Sequence, residues 1–402
     1  MSFYNISHKY FKLADDRRVV GSFLIKIRKI KHKSKEPMTR RHRFFYLTDL
    51  GGDMIKVGIV GTTGYAGQQL LWILNNHRKV EIEFISSHSF SGNDIGEIYQ
   101  NYKKYFEKRL ISLDEVREKL NRIDVIFLAL PHGMSESLTK QALENNVKVI
   151  DLGADFRLDD SEVYEKWYNV KHEFPEINKN AVYGLPEIYK EKIKNADVIA
   201  SPGCYPTSAI LGVAPILKKG LVDTKKIIVD SKSGVSGAGR NAKADLIFTE
   251  VNESFKAYNI LKHRHTPEIK QEMDKLGNGN INLIFSPHLL PINRGILSTI
   301  YLEVKEELKD KVTEEDIHKL YKEFYKEDYF IRITKELPEI KNVKNSNICE
   351  IGIRYDREYR NIVVVSVIDN LIKGAGGQAV QSMNILFGLE ESEGLGFLSM
   401  YI

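Results

Sequence analysis

The stretch that decides the fold is Ile55-Lys56-Val57-Gly58-Ile59-Val60-Gly61-Thr62-Thr63-Gly64-Tyr65-Ala66-Gly67, in which a β-branched strand runs into a glycine turn. A helix-forming run, residues 68–74, follows at once. Glycines in such a turn permit a tight bend, approach of a pyrophosphate to the backbone, and close helix–strand packing. The spacing is Gly-x-x-Gly-x-x-Gly, and a tight strand-to-helix turn without a ligand also accounts for it. The dinucleotide interpretation therefore needs support from elsewhere in the chain.

The next segments repeat the alternation of strand and helix. Apolar strand patterns cover residues 80–85, 124–130 and 147–151, with a helical pattern at 135–145 between the last two. Strands and helices of these lengths in alternation predict a doubly wound parallel sheet, and so an α/β fold. The carboxyl ends of parallel strands face the ligand crevice, which places Pro131 and His132 there. His132 either lines the site or caps the following helix.

The end of the second strand bears on the choice of dinucleotide. An NAD enzyme usually carries an acid about 20 residues after the glycines, where it binds the ribose hydroxyls. This chain has Ser86-Ser87-His88-Ser89 at that point. Hydroxyl groups in place of an acid suit a 2′-phosphate, so we expect the cofactor to be NADP, with Ser86 among the residues that bind it.

One of only two cysteines, Cys204, lies between a strand-like run at 196–200 and a helix-like run at 207–213. A thiol at a helix N-terminus is easier to ionise, because the helix dipole and free N–H groups favour the thiolate. The pattern predicts a reactive cysteine; a buried small hydrophobic residue is the alternative. Cys349 lies in a strand-like run without comparable neighbours, and we expect it to be structural.

Beyond Cys204 the pattern changes to longer strands with glycine-rich connections, which predicts an α+β domain with a mainly antiparallel sheet. The segment Ser233–Arg240 is rich in small residues, so its N–H groups could form an anion-binding nest beside the Arg240 charge, or it is a flexible loop. Arg294 is a further candidate for binding an anionic substrate. A last strand at 362–368 and a helix at 379–387 close the fold, with several glycines between them.

His263 and His265 precede a polar helical run. No third ligand is spaced to complete a metal site, and we expect no metal. An imidazole exchanges protons near neutral pH, so a general base is the better functional interpretation, with a polar surface position as the alternative.

Composition limits the class of protein. The chain has 402 residues, of which 42% are hydrophobic and 28% charged. It has no apolar run of about 18 residues, so a membrane span is not expected. Two cysteines cannot form a disulfide framework, which indicates a cytoplasmic protein.

The formal charge of +5 is unevenly placed. Residues 1–53 contain 13 Lys and Arg against five Asp and Glu, and the remainder contains 46 against 49. The larger part therefore has no excess of basic residues, and we expect no nucleic-acid partner. The pattern of residues 1–53 predicts a poorly ordered basic extension or, alternatively, an organelle presequence.

With these segments in view, residues 54–402 resemble the N-acetyl-γ-glutamyl-phosphate reductases, the arginine-pathway family of the semialdehyde dehydrogenase group. Nine ordered motifs carry the resemblance: GTTGYAG, LALPHG, DLGADFRL, YGLPE, SPGCYPT, SGVSGAGR, HRHTPEI, PHLLPINRGI and DNLIKGAGGQA. The chain departs mildly from the family at Gly153, where serine is usual. Residues 1–53 lie outside the resemblance.

The resemblance implies NADPH-dependent reduction of an acyl phosphate, N-acetyl-γ-glutamyl 5-phosphate, to the semialdehyde with release of phosphate. It implies a homo-oligomer (dimer or tetramer) with a dinucleotide-binding domain at 54–203 completed by 370–402, and a catalytic, substrate and oligomerisation domain at 204–369. Cys204 would be the nucleophile, and His265 the acid/base with His263 in support. Cofactor-binding residues would be Gly61, Thr63, Gly64, Tyr65, Ala66, Gly67, Ser86, Pro131 and Asn370. Substrate-binding residues would be Arg157, Ser236, Arg240 and Glu268.

Three other functions remain open at this point. An aspartate-semialdehyde dehydrogenase would perform the same chemistry on a shorter acyl phosphate. A related reductase would act on a carrier-linked aminoadipyl phosphate. A regulator that senses NADP would keep the fold without catalysis.

Overall fold

The computed structural model describes residues 54–277 and 279–400, and these form one compact unit. The predictions for residues 1–53 lie outside the described residues. Within the described part of the chain, no helix combines the length and apolar character that a membrane crossing needs.

The first half builds a parallel sheet of seven strands in the order β3-β2-β1-β4-β5-β7-β6. The strands are β1 Ile55–Val60, β2 Val80–Ser86, β3 Leu110–Ile111, β4 Val125–Leu128, β5 Lys148–Asp151, β6 Val182–Tyr183 and β7 Val198–Ala200. All neighbouring pairs are parallel. The predicted doubly wound sheet is confirmed, with its order reversing between β1 and β4.

The helices of this half are α1 Tyr65–Asn75, α2 Ile95–Ile98, α3 Leu113–Glu118, α4 Glu136–Glu144, α5 Ser161–Tyr168, α6 Pro175–Asn178 and α7 Pro186–Ile193. They cover both faces of the sheet, since one core cluster includes Leu70 and Leu74 of α1 and another includes Leu138 and Ala142 of α4. The strands buried between these layers are nearly continuous apolar runs, as a sheet covered on both faces requires.

The second half builds a mixed sheet in the order β12-β13-β14-β11-β8-β10-β9. Its strands are β8 Ile227–Gly234, β9 Lys256–Ala257, β10 Leu283–Leu290, β11 Ile296–Glu303, β12 Ile331–Thr334, β13 Cys349–Asp356 and β14 Asn361–Ile368. Four of the six neighbouring pairs are antiparallel, so the mainly antiparallel sheet is confirmed. Strand β10 continues through Pro287 to Leu290 and pairs with β8 along its length.

The helices of the second half are α8 Cys204–Lys219, α9 Phe248–Val251, α10 Thr266–Leu276, α11 Glu314–Phe324 and α12 Gly377–Leu386. Helices α8, α10 and α11 share one core with the mixed sheet, and α8 is buried along most of its length. A π-helical turn, Ile372–Gly376, joins β14 to α12. Helix α12 packs against α1 and α7, so the end of the chain returns to the first half.

Candidate active site

The glycine turn between β1 and α1 is built from close contacts that only glycine permits. A Cβ on Gly67 would lie 2.2 Å from the carbonyl oxygen of Gly61. Gly61 has φ +82°, and a Cβ there would lie 2.2 Å from the Ala129 carbonyl oxygen. Gly64 precedes α1 in extended conformation, so the first N–H groups of the helix, from Tyr65 onward, have no partner within the helix. These features fit a pyrophosphate at the helix N-terminus.

Ser86, the last residue of β2, binds the backbone of this turn. Its carbonyl accepts hydrogen bonds from the N–H groups of Gly61 and Thr62, at 3.1 and 2.9 Å. Its hydroxyl is buried and has no hydrogen-bond partner among the described residues. The neighbouring Ser87 hydroxyl lies 2.7 Å from the Thr63 hydroxyl, a contact that the sequence reasoning missed.

Cys204 is the first residue of α8, as the sequence predicted for a helix start. Its ionisation differs from the prediction, because burial raises the pKa of the thiol to about 11. The N–H of Tyr205 and the positive charge of Arg157 lower this pKa by smaller amounts. The expectation of an easily ionised thiol is therefore wrong for the protein without ligands, since desolvation outweighs the helix N-terminus.

His265 lies beside the residue that precedes the cysteine. A Cβ on Gly203 would lie 2.6 Å from Nε2 of His265, so the imidazole packs on this glycine. The Nδ1 atom of His265 is buried without a partner among the described residues. Burial, reinforced by His263 and the two nearby arginines, holds the pKa of His265 well below its usual value. The ring is thus neutral at pH 7 and able to accept a proton.

His263 contacts the backbone of His265. Its Nδ1 accepts a hydrogen bond from the backbone N–H of His265 at 3.0 Å. Burial lowers its pKa to about 4, with Arg264 as a smaller cause. His263 therefore helps to fix the backbone of the motif.

Glu268 is 1% exposed and is engaged by protein groups. One carboxylate oxygen accepts from the Gly203 N–H and the Tyr183 hydroxyl, each at 2.8 Å. The other lies 3.4 Å from Nη1 of Arg157. Two further donors of Arg157, Nε and Nη2, reach the carbonyls of Ser201 and Leu152, each at 2.8 Å. Glu268 and Arg157 thus hold the loop that precedes the cysteine.

The loop after β4 is also held from the next strand. Asp155 accepts hydrogen bonds from the N–H groups of Gly133, at 2.7 Å, and Ser135, at 3.0 Å. Asp155 therefore holds the loop that leads into α4, and the residue at the cap position is Ser135 and not His132. Nη1 of Arg264 donates to the His132 ring, 2.8 Å from its Nε2. Pro131 is exposed beside them.

The glycine-rich segment after β8 differs from the predicted nest. The N–H groups of Gly234, Val235 and Ser236 donate to the carbonyls of Gly295, Ile292 and Asn293. These three N–H groups cannot bind an anion, because they are already occupied. The segment is instead joined to the turn between β10 and β11.

Asn370 fastens the same segment to the C-terminal part of the chain. Its side-chain oxygen accepts from the Gly295 N–H at 2.7 Å, and its amide nitrogen donates to the Ser236 hydroxyl at 3.0 Å. Arg294 donates to Asp369 at 2.7 Å and to Gln69 of α1 at 2.9 Å. Arg294 thus links the two halves of the molecule, whereas Asn370 joins segments within the second half.

Arg240 lies at the glycine turn. Its Nη1 donates to the carbonyl of Thr63 at 3.0 Å, and its guanidinium stacks over the Tyr99 and Phe90 rings, 4.9 and 5.6 Å from their centroids. The sequence placed this charge near the substrate. In the structure it lies beside the predicted cofactor site, on a second cavity that it shares with Tyr65, Ser236 and Arg294.

A cavity of about 440 Å³ brings most of the catalytic candidates together. Its lining includes Pro131, His132, Arg157, Cys204, His263 and His265. Four basic residues also line it, against one acid: Arg157, Lys243, Lys256 and Arg264, against Asp245. The excess of positive charge suits an anionic ligand. Sequence reasoning missed Lys243, Lys256 and Arg264; only Arg264 carried a signal, since it stands between the two histidines.

Comparison with known families accounts for both halves of this arrangement. A family model described as "Semialdehyde dehydrogenase, NAD binding domain" matches residues 56–196. A second, "Semialdehyde dehydrogenase, dimerisation domain", matches residues 204–370. Together they extend over both sheets.

Solved structures share the fold at low sequence identity. Aspartate semialdehyde dehydrogenase II from Vibrio cholerae aligns with a TM-score of 0.63 and 18% identity, over 84% of this chain and 99% of that one. The enzyme from Candida albicans, solved with NADP, gives a TM-score of 0.62 and 15% identity, over 83% and 99%.

Curated relatives match much more strongly. The N-acetyl-gamma-glutamyl-phosphate reductase of Clostridium novyi is 50% identical over 349 residues, which is 87% of this chain and all of the relative. The reductase of Acetivibrio thermocellus is 47% identical over 351 residues, again 87% of this chain and all of the relative. At this identity and coverage, the chain belongs to the N-acetyl-γ-glutamyl-phosphate reductase family.

Proposed function

We propose that the protein reduces N-acetyl-γ-glutamyl 5-phosphate to N-acetylglutamate 5-semialdehyde, with NADPH as the reductant and release of phosphate, as a step of arginine biosynthesis. The names of its relatives support this substrate. The observation that carries the proposal is the position of Cys204, at the start of α8 on a cavity that also contains His265 and four basic side chains.

Cys204 acts as the nucleophile. Its sulfur forms a bond to the acyl carbon, and the bond from that carbon to the phosphate oxygen breaks, so phosphate leaves with the electron pair. The thiol is uncharged in the free protein, because its pKa is about 11. Its proton must therefore leave during the attack.

His265 accepts this proton. Its imidazole is neutral at pH 7, since burial holds its pKa well below the usual value, and it packs against Gly203, the neighbour of the cysteine. The protonated ring can later return the proton to the product oxygen. His263 and Glu268 support this motif, through the His265 N–H and the Gly203 N–H respectively.

The cofactor is held by the glycine turn. The N–H groups at the start of α1 bind the pyrophosphate, with Gly61, Thr63, Gly64, Tyr65, Ala66 and Gly67 forming the turn. Hydroxyl groups rather than an acid follow β2, which favours NADPH over NADH. When bound, NADPH supplies the hydride that reduces the carbonyl carbon of the cysteine thioester. Pro131 and Asn370 would contact the reacting end of the cofactor.

The basic side chains of the cavity bind the anionic substrate. Arg157 is nearly buried and reaches the loop of Cys204 through the Ser201 carbonyl, so its charge is close to the reacting group. Arg264, Lys243 and Lys256 are exposed on the same cavity. Arg240 and Ser236 line the second cavity together with Tyr65 of the glycine turn and serve the phosphate groups on that side.

The domain boundaries follow the two sheets. Residues 54–203 with 370–402 form the dinucleotide-binding domain, and residues 204–369 form the catalytic and oligomerisation domain. The return of α12 to α1 supports this division. We expect a homo-oligomer, dimer or tetramer, because the second half matches a dimerisation domain. Light scattering on the purified protein measures its subunit number.

The protein acts in the cytoplasm. Both of its cysteines are free thiols in the structure, and a reducing compartment keeps thiols in this state.

The direct test follows NADP reduction in the reverse direction, with phosphate and a panel of semialdehydes. We expect activity with N-acetylglutamate 5-semialdehyde and at least about a hundredfold lower kcat/KM with the aspartate and aminoadipate analogues, because a shorter or longer chain misplaces the carbonyl carbon relative to Cys204. Omitting phosphate is the control. Preference for another semialdehyde would contradict the proposed substrate, and no response to any of them would contradict the enzyme itself.

A further inference from the structure

A buried lysine lies outside both cavities, one residue before the glycine that contacts Cys204. Lys373 is 0% exposed. Its Nζ donates to Oε1 of Glu187 at 2.5 Å and to Oε1 of Gln381 at 2.8 Å. Glu187 is itself buried, in the first turn of α7. A buried pair of this kind is costly to desolvate and strongly unfavourable to break, so it constrains geometry more than it adds stability.

The lysine belongs to the π-helical turn Ile372–Gly376. The N–H of Gly374 donates to the carbonyl of Asp369, and the N–H of Gly376 donates to the carbonyl of Leu371, at 2.9 and 3.0 Å. Both bonds span five residues, which identifies the π geometry. Such turns are rare and are frequently found at functional sites.

Gly374 brings this turn into contact with the proposed nucleophile. A Cβ on Gly374 would lie 2.8 Å from Cβ of Cys204 and 3.2 Å from its Cα. Gly374 has no positive φ, unlike Gly61, so the contact with Cys204 and not the backbone conformation accounts for a glycine here. The turn therefore packs directly against Cys204.

A second contact ties the following helix to the same region. Nε2 of Gln378 donates to the Thr207 hydroxyl at 3.0 Å, and that hydroxyl donates to the Gly203 carbonyl at 3.0 Å. Gln381, one turn further along α12, donates to Glu187 at 3.1 Å. The C-terminal segment thus holds the first turn of α8 on one side and α7 on the other.

We propose that the turn Ile372–Gly376 positions Cys204 for attack, and that Lys373 fixes the turn through its ion pair with Glu187. Lys373 and Gly374 are positioning residues, since neither lines the cavity. This inference rests on the proposed role of Cys204 as nucleophile. A displacement of about 1 Å at a reacting group can cost about a hundredfold in rate, so the contact at Gly374 is close enough to matter.

The first test compares two alanine substitutions in the full-length protein. In Gly374→Ala, the added methyl group must displace Cys204. The control is Gly212→Ala, on helix α8, which begins at Cys204. Its methyl group would lie 2.8 Å from the end of the Ile300 side chain, which can move. We expect Gly374→Ala to lower kcat by ten- to a hundredfold and to change the alkylation rate of Cys204 by at least about fivefold, with KM and NADPH affinity within about threefold of wild type.

The second test removes the ion pair without leaving an isolated charge. Lys373→Met with Glu187→Gln deletes both charges and keeps similar volumes. We expect the double variant to fold, as judged by its circular dichroism, and to shift kcat and Cys204 alkylation in the direction of Gly374→Ala. Mass spectrometry identifies which cysteine carries the label. Cys349 should react slowly, because it is buried and its pKa is raised to about 12.

The outcomes separate this inference from the proposed function. Wild-type kcat and alkylation in both Gly374→Ala and the double variant would overturn the inference. A fall in kcat with unchanged alkylation would also overturn it, because the cysteine would not have moved. An equal loss in Gly212→Ala would reduce the effect to general packing and overturn it as well. If Cys204→Ser kept full activity, the nucleophile itself would be wrong, whatever the alkylation rates.

Discussion

At the scale of single residues, the thiol of Cys204 and the imidazole of His265 are both uncharged in the free protein. Burial raises the pKa of the thiol and lowers the pKa of the imidazole. The proposed attack by Cys204 must therefore include loss of the thiol proton. The sequence placed the thiol correctly at a helix start, but it overestimated how far the helix N-terminus lowers the pKa of the thiol. Burial opposes this lowering, and its depth depends on residues distant in the chain, such as Gly374.

The ionisation of Cys204 predicts a distinctive pH profile. The thiolate is the species that reacts with iodoacetamide, and its fraction rises as pH rises toward the thiol pKa. With a pKa of about 11, the alkylation rate of the free protein should increase about tenfold per pH unit across the range from 7 to 10. Mass-spectrometric rates for the Cys204 peptide test this. A plateau near pH 8 would contradict the burial argument.

Replacement of the thiol tests its role directly. Cys204→Ser should lower the turnover rate at least about 10³-fold, because a hydroxyl is far harder to ionise than a thiol. NADPH binding should survive, since the glycine turn lies on another element. Fluorescence titration of NADPH and the phosphate-dependent assay measure the two effects. Substantial residual phosphate-dependent activity would remove Cys204 from the mechanism.

The two histidines should differ in effect. His265→Asn removes the proton acceptor next to Gly203, and we expect kcat to fall by about 10² to 10⁴. His263→Asn removes a hydrogen bond to the His265 backbone, so its loss should be about tenfold or less. NADPH affinity serves as the control for both variants. A full loss at His263 with none at His265 would exchange their roles.

At the scale of elements, the glycine turn serves both folding and binding, and two of its residues separate these roles. A Cβ on Gly67 would lie 2.2 Å from the Gly61 carbonyl oxygen and 2.7 Å from Cα of Thr62, whereas the nearest atom to a Cβ on Gly64 is 3.5 Å away. Backbone atoms obstruct the first position, and the second has room in the free protein.

We therefore expect Gly67→Ala to destabilise the fold by about 2 kcal/mol or more, since backbone must shift. Gly64→Ala should cost less than about 1 kcal/mol, the usual penalty at a helix N-cap, while it weakens NADPH binding about tenfold because its methyl group lies where the phosphates approach. Thermal unfolding and fluorescence titration measure these effects. Equal destabilisation by both variants would contradict the distinction.

Most elements could be predicted from sequence, because their signals are local. The parallel sheet follows from apolar strands that alternate with helices, and α10 follows from a polar helical run after Pro267. The π-helical turn at 372–376 could not be predicted, since it arises from packing among Cys204, α1 and α7. The occupied N–H groups at 234–236 were missed for the same reason: their partners at 292–295 come from a distant turn.

At the scale of the whole molecule, the site exists only because the two halves are held together. Arg294 joins the turn after β10 to Gln69 of α1 and to Asp369, and Arg240 reaches the Thr63 carbonyl. The sequence indicated these arginines as anion-binding candidates from their charge and loop position. Their contacts across the molecule depend on the tertiary fold, which no local pattern contains.

The described unit beginning at Met54 contains both sheets and every residue assigned to the site. The Clostridium novyi relative is covered in full by 349 residues of this chain, and the matched family domains begin at residue 56. We therefore expect a variant lacking residues 2–53 to keep its melting temperature within about 3 °C, a change of about 2 kcal/mol or less for a chain of this size. Its kcat and NADPH affinity should stay within about twofold. Differential scanning calorimetry and the reverse assay measure these quantities beside the full-length protein. A loss of ten- to a hundredfold in kcat with normal NADPH binding would show instead that the first 53 residues contribute to the catalytic cavity.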